Sequence, residues 1–283
     1  MTTHSSFVVG GAAAARRGSA SPHVRFVFFA MGMALALFLA IVVCLEIGRQ
    51  LGIAQAARIG ESSRSGIGVI DGVVFAVFSL LLGFTFHGAT TRFDRRRDLV
   101  AGEVGSVAMA WARLDALPAD SQRGIRTAFR RYLDAVLESY SDVKRVGSAE
   151  SEQQHLAIVR AQNETWQLSL ATCLTEQGEK ARMLVLPALN EMFHSVEKER
   201  LARRMHPPAV IWVMLGIAAL TSSTFAGYNM SSAPTRNWIY ILGMAATVSI
   251  VMYVIIELEY PRLGLIRVDA FDQALVDLRA TMG

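Results

Sequence analysis

The chain has 283 residues, of which 52% are hydrophobic and only 18% are charged, a balance too apolar for an ordinary soluble domain of this size. Its formal net charge of +4 is modest, and its basic residues flank apolar runs, which indicates membrane topology and argues against nucleic acid as a partner. Cys44 lies in an apolar run and Cys173 in a polar segment, so neither a disulfide framework nor a Cys-x-x-Cys metal site is predicted.

Four apolar runs follow an N-terminal tail, residues 1–25, which mixes Gly, Ala, Ser and Arg without a helical stripe and is expected to be disordered. Each run approaches the ~20 residues that an α-helix needs to cross ~30 Å of hydrocarbon. The predicted spans are 26–47, 67–89, 209–228 and 238–256. They predict an all-α integral membrane protein with four transmembrane helices in two hairpins, at 26–90 and 207–257.

Basic side chains cluster at one end of every span. Three arginines lie in the tail, and four basic residues precede the third span. The second span is followed by Arg92, Arg95, Arg96 and Arg97. Cytoplasmic loops carry such an excess of Lys and Arg. The pattern predicts a multi-pass cell-membrane protein with both termini, the middle segment 91–206 and the C-terminal segment 258–283 in the cytoplasm.

The middle segment is predicted to be helical throughout. Apolar residues recur at spacings of 4, 3, 4 and 3 in the order Val100, Val104, Val107, Trp111 and Leu114. This heptad pattern predicts that the second membrane helix continues into the cytoplasm as one long helix. Leu117 and Pro118 end that helix. Three further helices are expected before the third span, the last of them beginning at Pro187.

The sequence contains no constellation typical of an enzyme. Its six histidines are scattered, and the motifs HExxH, GxSxG and GxxxxGK[ST] are absent, so no catalytic residue, metal or cofactor is predicted. The close glycines in GIGVIDG do not follow a strand and lack dinucleotide-binding spacing. Gly68, Gly72 and Ala76 instead form a face of small residues that is typical of close helix approach.

Three acidic residues near the predicted membrane boundaries each allow two interpretations. Asp71, near the start of the second span, is either a functional ionisable group at membrane depth or an interfacial residue that favours a helix N-terminus. Glu257 and Glu259, at the end of the fourth span, could form an acidic ring or cation site in an oligomer. The alternative is that they pair with nearby arginines.

Three stretches resemble the bacterial bestrophin-like family, a domain of unknown function found in short four-span membrane proteins. They are ESSRSGIGVIDGVVFAVFSLLLGFTFHGATTRFDRRRDLV, LPALNEMF and ELEYPRLGLIRVD. The resemblance covers about Gly66 to the C-terminus and implies a bacterial inner-membrane protein. A more distant similarity to the bestrophin channels rests on Leu82, Gly83 and Phe84, followed by a basic and aromatic pair at Arg92 and Phe93.

In bestrophin channels the corresponding helix lines the pore of a pentamer. The resemblance therefore implies a homo-oligomer whose pore constriction falls on Ala76, Leu80 and Phe84. Ala76 departs from the large apolar residues of the channel family, which implies a shorter or shifted constriction. The acidic calcium clasp of animal bestrophins has no clear match, so calcium gating is not implied.

A symmetric ring of Leu80 and Phe84 could narrow an aqueous path enough to dewet it. Positive charge beyond the constriction would concentrate anions in a vestibule. The vestibule residues would be Arg92, Arg95, Arg96 and Arg97. The sequence and the resemblance together predict a passive channel, with inorganic ions and the lipid bilayer as its partners and with anions as the expected cargo. The alternative is a non-conducting scaffold or sensor in which Leu80 and Phe84 face lipid and the cytoplasmic helices bind a partner.

Overall fold

The computed structural model describes residues 22–59, 67–141, 149–233, 235–261, 264–265 and 269–283. The α-helices are α1 Pro22–Ile59, α2 Ile67–Arg113, α3 Ala119–Ser141, α4 Ala149–Cys173, α5 Glu179–Arg204, α6 Ala209–Asn229, α7 Trp238–Glu259 and α8 Asp269–Thr281. Short 3₁₀ turns follow α2 at Leu114–Ala116 and α6 at Met230–Ser232. Every regular element in these described ranges is helical.

Four of these helices, α1, α2, α6 and α7, are long and apolar enough to cross a membrane, as predicted. The first begins at Pro22 and continues to Ile59, so it includes the last residues assigned to the tail and extends beyond the apolar run that ends near residue 47. Helix-forming residues in the sequence AQAAR support this extension. Residues 1–21, which hold the rest of the expected disordered tail, lie outside the described residues.

The two membrane-length helices near the N-terminus pack mainly against the two near the C-terminus. Helix α1 packs against α6 and α7, and α2 packs against the same two helices. The α1–α6 crossing is close because glycines lie on both sides of it. A Cβ atom at Gly48 would overlap the backbone carbonyl of Thr224, and one at Gly227 would overlap the carbonyl of Leu45. This packing pattern does not confirm the predicted arrangement of sequential helices as two hairpins.

Helix α2 is a single element of 47 residues, which confirms that the second apolar run and the heptad segment after it form one long helix. Its C-terminal half, together with α3, α4, α5 and α8, forms what we call the extramembrane bundle. One hydrophobic cluster fills this bundle, including Phe129, Tyr132, Leu189 and Leu275, all fully buried. Leu275 belongs to α8, so the C-terminal segment is part of the bundle and not a separate appendage.

Helix α5 begins at Glu179, eight residues before the predicted start at Pro187. Proline inside a helix costs about 3 kcal/mol. Val185, Leu189 and Met192 are nevertheless completely buried in the bundle core on both sides of the proline. Tertiary packing therefore maintains the helix through a residue that sequence rules treat as a helix start.

Candidate functional site

One side of α2 has no partner within the described part of its own chain. Helices α6 and α7 cover the side that carries Phe78 and Ala89, which are 3% and 0% exposed. On the opposite side Leu80 is 57% and Phe84 is 66% exposed. We call this side the open face of α2. Its exposed residues are Ala76, Leu80, Gly83, Phe84, His87, Thr91, Asp94 and Asp98.

The open face brings together the three residues predicted to form a constriction. Ala76, Leu80 and Phe84 follow one another at intervals of four residues, so they lie on one stripe of the helix and are separated by about 6 Å along its axis. The side chains of this stripe are all apolar. The open face becomes charged about three to four turns beyond Phe84, at Asp94 and Asp98.

Two of the four predicted vestibule arginines border this charged part. Arg95 and Arg97 are exposed on either side of the acidic pair. Arg97 lies 3.7 Å from an Asp94 carboxylate oxygen, and its guanidinium lies 5.9 Å from the centre of the Phe93 ring. Positive and negative charges are therefore interleaved along this section of α2.

The other two arginines point away from the open face toward the end of α7. Arg92 Nε donates to Glu259 Oε1 at 2.7 Å, and the Glu259 side chain is completely buried. Arg96 is only 7% exposed, and it donates to the backbone carbonyls of Met205 at 2.8 Å and of Glu259 at 3.0 Å. We call Arg92, Arg96, His206, Glu259 and Tyr260 the Glu259 junction.

The two acidic residues at the end of α7 have separate roles within the fold. Glu259 lies against Arg92 and Arg96 of α2, which is the pairing that one of its two interpretations described. Glu257 is 1% exposed and accepts a hydrogen bond from the backbone N–H of Leu265. Gly264 approaches the same carboxylate so closely that a Cβ there would overlap it. Glu257 thus fixes the turn that follows α7, whereas Glu259 fastens α7 to α2.

Asp71 lies at the opposite end of the membrane-spanning part of α2 and is 6% exposed. Its carboxylate accepts a hydrogen bond from the side-chain amide of Asn229, at the end of α6. This contact ties the start of α2 to α6. Asp71 is therefore on the packed side of α2 and not on the open face with Leu80 and Phe84.

The extramembrane bundle contains a buried polar contact that the sequence reasoning missed. Tyr140 Oη donates to the Glu103 carboxylate, with 2.6 Å to each oxygen, and Glu103 is completely buried. Burial, and next the negative charge of Glu103, raise the pKa of Tyr140 well above its usual range. The guanidinium of Arg203 lies 4.5 Å from the centre of the Tyr140 ring. The available signal was a glutamate one residue before Val104, within the apolar heptad stripe of α2.

Comparison with known proteins agrees with this architecture. A crystal structure of a membrane protein has a TM-score of 0.59 to this chain at 18% identity, covering 87% of this chain and 98% of the other. A crystal structure of a bacterial bestrophin homologue from Klebsiella pneumoniae has a TM-score of 0.58 at 17% identity, covering 87% and 99%. A second structure of a Klebsiella pneumoniae homologue has a TM-score of 0.56 at 16% identity, covering 87% and 98%.

These similarities are at the level of the fold. No match was found among curated protein sequences. The family model of the bestrophin-like domain matches residues 57–270, a range that includes the open face of α2, the Glu259 junction and the extramembrane bundle except for most of α8. The chain therefore belongs to the bestrophin-like family.

Proposed function

We propose that this protein is a passive ion channel, in which several copies form a ring and the open face of α2 lines the path. The observation that carries this proposal is the exposure of Leu80 and Phe84, at 57% and 66%, on a side of α2 that the described part of its own chain leaves uncovered. In a ring these side chains would form an apolar constriction that controls passage by dewetting. The interleaved charges of Asp94, Arg95, Arg97 and Asp98 would surround the mouth of the path.

The proposed assembly is a homo-oligomer in a bacterial inner membrane, and a pentamer by analogy with the channel family. The chain would cross the membrane as two hairpins, with both termini and the extramembrane bundle in the cytoplasm. The excess of Lys and Arg beside the bundle supports this orientation. The contact of α8 with α2 and α3 supports a common side for the C-terminal segment and the bundle.

Imaging of the purified protein as single particles tests the assembly directly. A closed ring with α2 around a central axis is expected. A monomer, or a dimer in which the α2 helices face lipid, would contradict the channel proposal because neither provides an enclosed path.

The charge arrangement predicts opposite effects for two pairs of substitutions. Replacing Arg95 and Arg97 by glutamine should lower the ratio of anion to cation permeability, and replacing Asp94 and Asp98 by asparagine should raise it. Both effects should be largest at low ionic strength, where the Debye length approaches ~30 Å. Reversal potentials of reconstituted protein in a salt gradient measure the ratio.

Arg92→Gln serves as a comparison for the charge test. Its side chain is engaged with Glu259, so its removal should affect folding more than ion selectivity. Equal permeability ratios for the wild type and for both double variants would show that this part of α2 does not border the path.

The orientation predicts which surface positions are accessible from outside the cell. A cysteine replacing Thr235, in the exposed connection between α6 and α7, should react with a membrane-impermeant maleimide in intact cells. A cysteine replacing Glu176, exposed between α4 and α5, should react only after permeabilisation. The native Cys44 and Cys173 are first replaced by alanine. Labelling of position 176 in intact cells would reverse the proposed topology.

A scaffold or sensor remains the second candidate, since one feature favours partner binding. Leu174, Met183 and Leu184 are 64%, 79% and 50% exposed near the turn between α4 and α5. Exposed apolar groups of this size are common at protein interfaces. On this proposal, charged substitutions at Met183 and Leu184 would abolish binding of the partner while leaving the folded oligomer intact.

A further inference from the structure

His206 lies in the connection between α5 and α6, where the extramembrane bundle joins the membrane-length helices. Its Nδ1 atom is 3.9 Å from Glu259 Oε2, and its side chain is 36% exposed. Its ring stacks on Tyr260, with 4.8 Å between ring centres and 23° between planes. A proton from the surrounding solution can therefore reach a side chain that contacts the end of α7.

Charged groups on two helices act on His206. Helix α2 contributes Arg92 and Arg96, and α7 contributes the Glu259 carboxylate. Phe26 of α1 lies against Tyr260, with ring centres 5.3 Å apart, and adds no charge. Glu199 of α5 adds a negative charge that acts on Arg96. Around His206 itself two positive charges thus accompany one negative charge.

Glu259 carries one negative charge, and Arg92 and Arg96 already share it. Its Oε1 atom already accepts from Arg92. Its Oε2 atom is buried without a hydrogen bond, at 3.8 Å from Arg96 Nη2. A charged imidazole would enter this arrangement beside two guanidinium groups, which disfavours the protonated form.

Partial burial, and next the charge of Arg96, lower the pKa of His206 from its ordinary value of 6.5, while Glu259 opposes them. The folded protein therefore binds this proton less readily than a chain in which the junction has come apart. The contribution of neutral His206 to stability is present above the ordinary imidazole pKa. It is lost as the pH falls from that value through the lower folded value.

We propose that the Glu259 junction is an acid-responsive contact, in which protonation of His206 weakens the attachment of the α5–α6 connection to α2 and to the end of α7. Low pH favours the conformation in which His206 binds a proton more readily. For this junction that is the loosened conformation. The neutral junction holds Met205 through its carbonyl bond to Arg96. The loosened junction releases that bond.

The position of the junction gives this change a route to the membrane part of the molecule. Arg92 and Arg96 belong to the same continuous helix as Phe84, and Arg92 is about 12 Å from Phe84 along the helix axis. The proposal goes beyond ion conduction, because it concerns the contact between the bundle and the membrane helices whether or not the protein conducts. It identifies cytoplasmic acidification as a signal that the fold can detect.

Hydrogen exchange of the segment 202–212 in the intact purified protein provides the test. After correction for the intrinsic effect of pH, lowering the pH from about 7.5 to about 5.5 should raise exchange of the wild type roughly threefold or more. His206→Gln should remove this rise, because glutamine stays neutral. His206→Arg should exchange rapidly at both pH values, because it is permanently charged.

His194→Gln is the matched control, since His194 is an exposed histidine on α5. It should retain the full wild-type response. A His206→Gln protein with the same pH response as the wild type would overturn the proposal. So would wild-type exchange that does not change with pH. If His206→Arg does not fold, the comparison of the wild type, His206→Gln and His194→Gln still decides the outcome.

Discussion

Replacing Gly48 by leucine is expected to prevent α1 from packing on α6. Even a Cβ atom at Gly48 would overlap the carbonyl oxygen of Thr224 and approach the backbone of Tyr228. Those atoms belong to a helix backbone and cannot move aside as a flexible side chain can. The cost should therefore exceed the ~1–3 kcal/mol typical of overpacking. Size-exclusion chromatography and thermal melting in detergent should show loss of the folded protein.

Two matched variants separate this overlap from any general effect of a leucine substitution in a membrane helix. Gly32→Leu changes the same helix at a position where a Cβ meets no atom of the described part of the chain within 4 Å, and it should leave folding unchanged. Gly227→Ala adds one methyl group directly against the carbonyl of Leu45, so it should also be strongly destabilising. A Gly48→Leu protein with wild-type size and melting temperature would mean that α1 and α6 are not in close contact.

The close contact of α1 with α6 at Gly48 was not predicted from the sequence. Gly48 and Gly52 have the four-residue spacing that is typical of close helix packing, and a Cβ at either position would overlap α6 or the turn that follows it. The face predicted for close helix approach was instead that of Gly68, Gly72 and Ala76. A Cβ at Gly72 would meet no atom of the described residues within 4 Å, so close approach there stays a prediction about contacts between copies. The polar residues Arg49 and Gln50 lie between Gly48 and Gly52, so this segment resembled the end of a membrane span and not a helix contact.

The charged section of α2 shows a different limit. A count of basic residues beside a span treats Arg92 and Arg96 like the arginines next to them. In the structure both lie against Glu259, which is more than 160 residues away along the chain and was not paired with them by that count. One local signal was available, because Arg96 falls on the same helical stripe as Val100 and Val107, which are buried. The periodicity therefore indicated a buried arginine. It could not identify the carboxylate that pairs with it.

The four membrane-length helices and the length of α2 were predictable because hydropathy and heptad spacing are local properties of a sequence. Contacts between distant segments were not, since one sequence contains no information on pairing. The structure adds the direction in which α2 presents each residue. That direction makes the role of Phe84 testable with a single side chain.

Replacing Phe84 by alanine is expected to increase ion flux through reconstituted liposomes while the folded oligomer persists. Phe84 lies on the open face of α2 and is 66% exposed in its own chain. If a ring of these side chains forms the constriction, truncation widens it and lowers the barrier to wetting. Phe28→Ala is the matched control, because Phe28 is 69% exposed on α1. The control should leave flux at the wild-type level.

Two other environments for Phe84 predict different combinations of flux and stability. If Phe84 faces lipid, its truncation removes contacts that acyl chains can replace, so flux and melting temperature should both match the Phe28→Ala control. If Phe84 is buried between copies away from any path, its truncation should cost roughly 3 to 5 kcal/mol of packing with no gain in flux. Only increased flux with an intact oligomer supports a constriction. Folded wild-type and Phe84→Ala oligomers that both conduct no more than empty liposomes, across a range of voltages, would exclude the channel function and leave the scaffold as the better account.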